Sequence, residues 1–593
     1  MNNQSLKTCC LLTATFLVGC ANDGNKSEKP NVIIVLTDDQ GIGGLSCHDN
    51  PYLKTPCLDR FYGESVRMTN FHVSSVSTPT RGALMTGRYP IRNGAWATFK
   101  GRDIVSRTSP MFAEVFKAAG YETAMFGKWH LGDNYPSRAV DCGFDYVVNH
   151  RAGGVGELSD YWGNNYFDDT YWVNEKPQRF EGYCTDIWFR ETQSFIERQM
   201  DGDKPFFIYL ATNAPHGPHY VDEKYAAPYQ KLEDEGILND AGFYGQIANL
   251  DENFGKLDDF LKKNGLDKNT IVVFLTDNGA GAKNNAWVCG YSGAKGSKLE
   301  GGHRVPFFIR WADGGIDGGR DINALTAHVD LLPTIAALCN VDIPKDNKID
   351  GIDFSPLLTN DAYAHSDRTL FIHNRQDSKP PMDIKGACVA KGEWRLLDGD
   401  KLYNLKNDQL EKKNIAADHP EVVEQLLKEN AAFIEKTKGM PEYQDYVPIV
   451  AGAPEQRVAV LTIQHAIGES AGLWTAEQIC EGVKVDNDSY SVLFNSAGKY
   501  KISVARWSRE CQGDIWGVPD VNPKNWYTYE TIHPESITLK IGGETYTEMV
   551  SEGMKEVDFE VSVKEGQQII EVNYIENGKP FGAYYTYIEK IDK

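Results

Sequence analysis

Two apolar runs in this chain end in the same kind of polar group. Asn31-Val32-Ile33-Ile34-Val35-Leu36 leads into Thr37-Asp38-Asp39, and Thr270-Ile271-Val272-Val273-Phe274-Leu275 leads into Thr276-Asp277-Asn278. Carboxylate and amide oxygens suit a hard divalent cation. A single Asp-Asp pair reads as a solvated turn, but two such pairs, each closing an apolar run, read as a ligand set. Three further loops bring basic groups: Gly127-Lys128-Trp129-His130-Leu131-Gly132, Ala214-Pro215-His216-Gly217-Pro218 and Gly293-Ala294-Lys295-Gly296-Ser297. A lone lysine or histidine is usually solvated or structural. Gathered at one place, Lys128, His130, His216 and Lys295 could neutralise an anion and carry protons. Ser77-Thr78-Pro79-Thr80-Arg81, continuing through Gly87-Arg88, adds a hydroxyl and a guanidinium. By itself Ser-x-Pro-x-Arg reads as a turn opening a helix.

These groups need a frame. Continuous apolar runs fit strands buried on both faces, as in a parallel sheet. Thr123-Ala124-Met125-Phe126 and Pro205 to Leu210 are further strand candidates, and residues 111–119 and 186–198 read as helices between them. Such alternation predicts an α/β domain with helices on both faces of a mostly parallel sheet. Ligands of such sheets lie beyond the carboxyl ends of the strands, where the polar groups above all begin. From about Thr369 the pattern becomes short antiparallel strands with a helix over 422–437, a small α+β subdomain. Residues 439–455 carry three prolines and read as a linker. Alternating strands beyond it predict an antiparallel β-sandwich. The expected division is 1–20 leader, 21–30 tether, 31–365 catalytic domain, 366–450 subdomain and 451–593 sandwich.

The chain has 593 residues, 41% of them hydrophobic, and a net charge of -22. That length predicts more than one domain, and the acidity argues against nucleic acid as a partner. It also means that an anionic substrate needs local cations or a metal to offset the background field. Lys7 precedes an apolar run too short to span a bilayer. It ends in Leu17-Val18-Gly19-Cys20, which resembles a bacterial lipobox with Cys20 as the lipidated residue. The expected location is the periplasm or cell surface of a Gram-negative bacterium, held to the membrane only by a lipid anchor. Of twelve cysteines, none shows CxxC spacing, which disfavours zinc. Cys480 and Cys511 are candidates for a disulfide.

The segment from Ser77 to Arg88 resembles the signature of formylglycine-dependent (type I) sulfatases, and the loops at Lys128, His216 and Lys295 resemble further motifs of that family in the same order. Serine at position 77 resembles the serine type found among bacterial carbohydrate sulfatases. The resemblance implies an alkaline-phosphatase-like α/β fold and oxidation of Ser77 to formylglycine by a serine-type radical maturating enzyme. It also implies a metal site of Asp38, Asp39, Asp277, Asn278 and residue 77, with Ca²⁺ preferred over Mg²⁺. Hydration of the aldehyde would supply the nucleophile. Arg81 and Lys128 would orient it, and His216 or Lys295 would protonate the leaving alcohol. His130 would take a proton as sulfate is expelled. Glu300 and Arg304 would hold the Lys295 loop.

The implied substrate is a sulfated glycan, desulfated from its end, with a lean towards galactose-type sugars. His373, Arg375 and Trp162 are the candidate sugar contacts, in the runs His373-Asn374-Arg375-Gln376 and Ser159 to Asn164. Two alternatives stand beside this reading. One is a phosphoester or phosphonate hydrolase of the same fold; the other is a sulfated-glycan binding lipoprotein with unmodified Ser77.

Overall fold

The computed structural model describes residues 29–592 except 346–347, 361–366, 469–471, 487–488 and 520–527. The leader, Cys20 and most of the tether lie outside the described residues.

The strand Asn31–Thr37 sits near the middle of a ten-stranded sheet, with Thr270–Thr276 on one side and Phe206–Ala211 on the other. Glu122–Lys128 and Tyr146–His150 continue the sheet beyond Phe206–Ala211, and all these central pairs are parallel. Their side chains are almost wholly buried on both faces, as unbroken Val, Ile and Phe runs require. The antiparallel strand Phe307–Arg310 lies outside Thr270–Thr276, and a short antiparallel hairpin at 170–179 closes the opposite edge. Helices Phe112–Ala118, Cys184–Gln199 and Ala241–Lys263 are among those covering the faces.

Register does the positioning. Thr37 lies opposite Thr276, so Asp38-Asp39 and Asp277-Asn278 leave the sheet side by side. Lys128 is the last residue of its own strand, and the loop carrying His216 follows Phe206–Ala211.

The subdomain is a four-stranded antiparallel sheet over 369–404 and the helix Pro420–Thr437. Two sheets make up the carboxy-terminal sandwich. The strand Ile449–Ala451 lies inside the stretch read as a linker and pairs in parallel with Ser489–Phe494, so the sandwich begins earlier than 451 and is not purely antiparallel. Its core is continuous with the catalytic domain, because Ile104, Leu158 and Trp162 belong to the same apolar cluster as Ile502, Trp507 and Ile588. Asn134 Nδ2 donates to Val460 O at 2.8 Å and Tyr585 Oη donates to Leu158 O at 3.0 Å across this seam. Cys480 and Cys511 are both buried with free thiols, so the expected disulfide is absent. The Cys511 sulfur sits 3.1 Å from Ser508 Oγ instead.

Asp103 is a buried acid at the seam. Asp103 is 8% exposed, and its Oδ1 has no hydrogen-bond partner. Burial pushes its carboxyl up to about 6. At pH well below 4 the group is protonated in both folded and unfolded chains and costs nothing, and the cost builds between about pH 4 and 6. As pH rises through 6 the folded state must carry a buried carboxylate while the unfolded chain ionises freely. Asp103→Asn should therefore stabilise the protein by about 3 kcal/mol at pH 8 and by almost nothing at pH 4. Urea melts at the two pH values measure this, and an equal effect at both would refute it.

Candidate active site

The carboxyl ends of four strands and the start of one helix meet at a single point. Ser77 opens the helix Ser77–Thr86, every residue of which is buried. Its hydroxyl lies 3.2 Å from Asp38 Oδ1 and 3.3 Å from Asn278 Oδ1. Asn278 Nδ2 donates to Asp39 Oδ1 at 2.7 Å, so the four strand-end residues form one connected group. Asp39 adopts φ 62° and His130 φ 56°, left-handed conformations that are uncommon outside glycine and concentrate at functional sites.

Three cations close on the three carboxylates. Arg81 donates from Nη2 to Asp277 Oδ2 at 2.8 Å and from Nη1 to Lys128 O at 3.1 Å. Lys128 Nζ is 2.6 Å from Asp38 Oδ2, and Lys295 Nζ is 2.7 Å from Asp39 Oδ1. Burial opposes ionisation of Asp38 and Asp39, but Lys128 beside the first and Lys295 beside the second, with His216, hold both carboxyls below their ordinary range. Burial also works against the charge of Lys295; Asp39, Asp38 and Asp277 outweigh it and hold the ammonium above its ordinary range. Burial wins at Lys128, which is lowered despite Asp38.

The histidines are placed differently. His216 Nδ1 is 2.7 Å from Gly217 O. A carbonyl only accepts, so Nδ1 carries the proton and Nε2, 3.8 Å from Asp39 Oδ2, is left to exchange one. His130 is buried with no hydrogen-bond partner on either ring nitrogen. Burial, with Lys128 and Arg81 near it, pushes its pKa far below the usual imidazole range, so it is neutral and can accept a proton. Ser77, Lys128, His130, His216, Lys295 and Glu157 line one cavity of about 360 Å³.

The loop bearing Lys295 is anchored from behind. Glu300 is fully buried, with Oε1 2.7 Å from Arg395 Nε and Oε2 2.7 Å from Arg304 Nη1. His72, Glu300 and His303 could also gather round a metal. Both Glu300 oxygens, however, already face guanidinium groups that balance its charge. Removing the charge of a buried pair strands its partners, so Glu300→Gln should cost about 3–5 kcal/mol of stability. Denaturant unfolding tests this, and a loss below about 1 kcal/mol would contradict it.

The oxygen cluster does fit a cation. One oxygen each from Asp38, Asp39 and Asp277 lie within 4.8 Å of one another, with the Asn278 amide and the Ser77 hydroxyl beside them, a hard oxygen donor set.

The model of the Sulfatase family matches residues 30–341. The chain belongs to the sulfatase family. It is a hydrolase of sulfate esters, and its fold matches those of solved sulfatases. The N-acetylgalactosamine-6-sulfatase of Canis lupus familiaris is 30% identical over 376 residues, 58% of this chain and 69% of the relative. The N-acetylgalactosamine-6-O-sulfatase of Bacteroides thetaiotaomicron is 27% identical over 523 residues, 72% of this chain and 98% of the relative. Among solved structures, Ps i-CgsB in complex with k-i-k-neocarrahexaose superposes with a TM-score of 0.63 at 25% identity, over 70% of this chain and 95% of that one.

The expected sugar contacts of this sulfatase need correction. Trp162 is 6% exposed and stands edge-on to Trp507 at 5.6 Å in the domain seam, a core position. His373 is buried against Phe433, with ring centroids 5.8 Å apart and its pKa pushed down to about 4 by desolvation. Arg375 pairs with Asp377 at 2.9 Å and does not line the cavity. Their neighbour Gln376 does, as do Thr98, Glu157 and Trp474. Nothing in the sequence marked Glu157 or Trp474, since neither sits in a motif, and the strand Tyr146–His150 that precedes Glu157 is not an unbroken apolar run.

Proposed function

We propose that this sulfatase removes sulfate from a terminal sugar of a sulfated glycan, using a formylglycine formed from Ser77 and one bound Ca²⁺. The observation that carries the reading is the buried Ser77 hydroxyl between Asp38 and Asn278, opening onto the same cavity as Lys128, His130, His216 and Lys295. A cavity of about 360 Å³ is near the low end for small-molecule sites, which suits one sugar rather than a threaded chain. The two named relatives support a galactose-configured sugar, because both are N-acetylgalactosamine sulfatases by name. The lipobox-like Leu17 to Cys20 supports an exported protein lipidated at Cys20.

An aldehyde hydrate at position 77 supplies a nucleophile that serine lacks, and the cation supplies positive charge that makes its hydroxyl more acidic. This chain's residues do the rest. Arg81, clamped between Asp277 and the Lys128 carbonyl, fixes the approach to position 77. Lys128 and Lys295 hold the sulfate oxygens and offset the charge that grows on them in the transition state. Lys295 is kept charged by Asp39, so it contributes a fixed positive group. Lys295, which Asp39 keeps protonated, can give a proton to the leaving alcohol directly, whereas His216, with Nδ1–H committed to Gly217 O, can do so only after Nε2 has first taken one up. His130, neutral and unpartnered, accepts the proton released as sulfate departs.

The test is release of sulfate by the matured protein from galactose, N-acetylgalactosamine and glucose 6-sulfates, with matched sugar phosphates as controls. Preferential sulfate release from galactose-configured sugars supports the proposal. Phosphate release without sulfate release would replace it with the phosphohydrolase reading.

A further inference from the structure

The carboxy-terminal sandwich reaches the catalytic cavity. Trp474 and Thr475 line it together with Ser77 and Lys128, although they lie some four hundred residues away in the chain and on another domain. The segment is tied down on both sides. Leu158 N donates to Trp474 O at 3.1 Å, and Thr475 forms a bridge to Glu157. The backbone N–H groups of Trp474 and Thr475 both donate to Gln478 Oε1, at 2.7 and 3.1 Å. The half-buried Trp474 ring meets Phe99 edge-on at 5.1 Å, so the indole is held in place.

Glu157 is set by the same contact. Its Oε2 accepts from Gly153 N at 3.0 Å and from Gln464 Nε2 of the sandwich at 2.9 Å; Oε1 takes part in neither bond. Across the cavity lining, Gln376 Oε1 accepts from Thr98 N at 2.9 Å, a bond that does not use its amide NH₂. Among the described residues, Lys128, Lys295 and the two histidines of the sulfate end are the basic side chains that line the cavity. The remaining polar lining is Thr98, Glu157, Gln376 and Thr475. An indole beside carboxylate and amide groups suits the apolar surface and hydroxyls of an uncharged sugar ring. Among the described lining residues this end carries no cation to pair with a uronic acid or a second sulfate.

We propose that Trp474, with Glu157 held by Gln464, forms the binding subsite for a neutral pyranose carrying a single sulfate, so that the appended sandwich helps to set the enzyme's specificity. The inference rests on the sulfated-sugar reading above, and the experiment separates the two. Protein with Ser77 left unmodified is titrated calorimetrically with galactose 6-sulfate and N-acetylgalactosamine 6-sulfate, and with inorganic sulfate as a probe of the sulfate end alone. Trp474→Ala should weaken the sugar sulfates by about tenfold or more and leave inorganic sulfate unchanged. Trp474→Phe should keep most of the affinity. In matured enzyme the loss should appear in KM rather than kcat. Unchanged sugar affinity in Trp474→Ala overturns the subsite alone. Equal loss of sugar and sulfate affinity shows a structural role and overturns it too. If the parent protein binds inorganic sulfate but neither sugar sulfate, the sulfated-sugar reading falls and the subsite with it.

Discussion

Ser77→Ala should reduce sulfate release by about 10⁴-fold or more, the largest single effect expected of any substitution in this chain. Under the proposed mechanism the side chain at position 77 is the source of the nucleophile, and no neighbour can replace it. The nearest groups are carboxylates, an amide and ammonium ions already engaged with one another. The change is small in structural terms. Ser77 Oγ makes two long contacts, at 3.2 and 3.3 Å, so its loss should leave stability within about 1 kcal/mol of the parent. Binding of sulfated sugar should persist. The peptide containing residue 77 should be lighter by about two mass units in active protein than in inactive protein, because oxidation of the alcohol removes two hydrogens. Activity retained in Ser77→Ala, or full activity in protein whose residue 77 is plain serine, would end the formylglycine proposal.

Removal of the metal should cost about 10³-fold in rate, since Lewis-acid assistance is worth several kcal/mol and about 4 kcal/mol corresponds to that factor. Asp38, Asp39 and Asp277 stand against Arg81, Lys128 and Lys295, so the cluster is balanced internally. A cation bound there would then act on the reacting group rather than merely cancel charge. Calcium should restore activity after chelation better than magnesium does, because a cluster supplied from separate loops suits a flexible coordination shell more than a strict octahedron. Asp39→Asn should lose the activity without rescue. A second readout is thermal: calcium should raise the melting temperature of the parent protein and not that of Asp39→Asn. Undiminished turnover in protein shown by metal analysis to be metal-free would refute the assignment.

The parts legible from sequence share a physical origin. Strands buried on both faces write themselves as apolar runs, and the sheet places their ends together, so Asp38, Asp277, Lys128 and His216 could be collected before any contact was known. A glycine adds to this: Gly127 has φ +97°, and a Cβ there would come within 2.1 Å of Ala211 O, so the end of the strand that carries Lys128 admits no other residue at this position. The sugar end has no such signature. Trp162 and Trp474 look alike in sequence; only the docking of the sandwich buries the first against Trp507 and leaves the second on the cavity wall. His373 failed for the same reason, since the helix carrying Phe433 covers it. The linker reading of 439–455 failed because three strand residues, Ile449–Ala451, are too few to show a period.

One detail of the fold bears on how the enzyme is made. Ser77 is 1% exposed, within a helix that is buried along its whole length. No second enzyme could reach that side chain in the finished molecule. Under the formylglycine proposal, its oxidation would therefore belong to the chain before it folds, and a copy that collapses too early would stay unoxidised for as long as it stays native. On that proposal, maturation would be a race between an oxidising enzyme and the chain's own folding. The fraction of active molecules in a preparation would then record the outcome of that race.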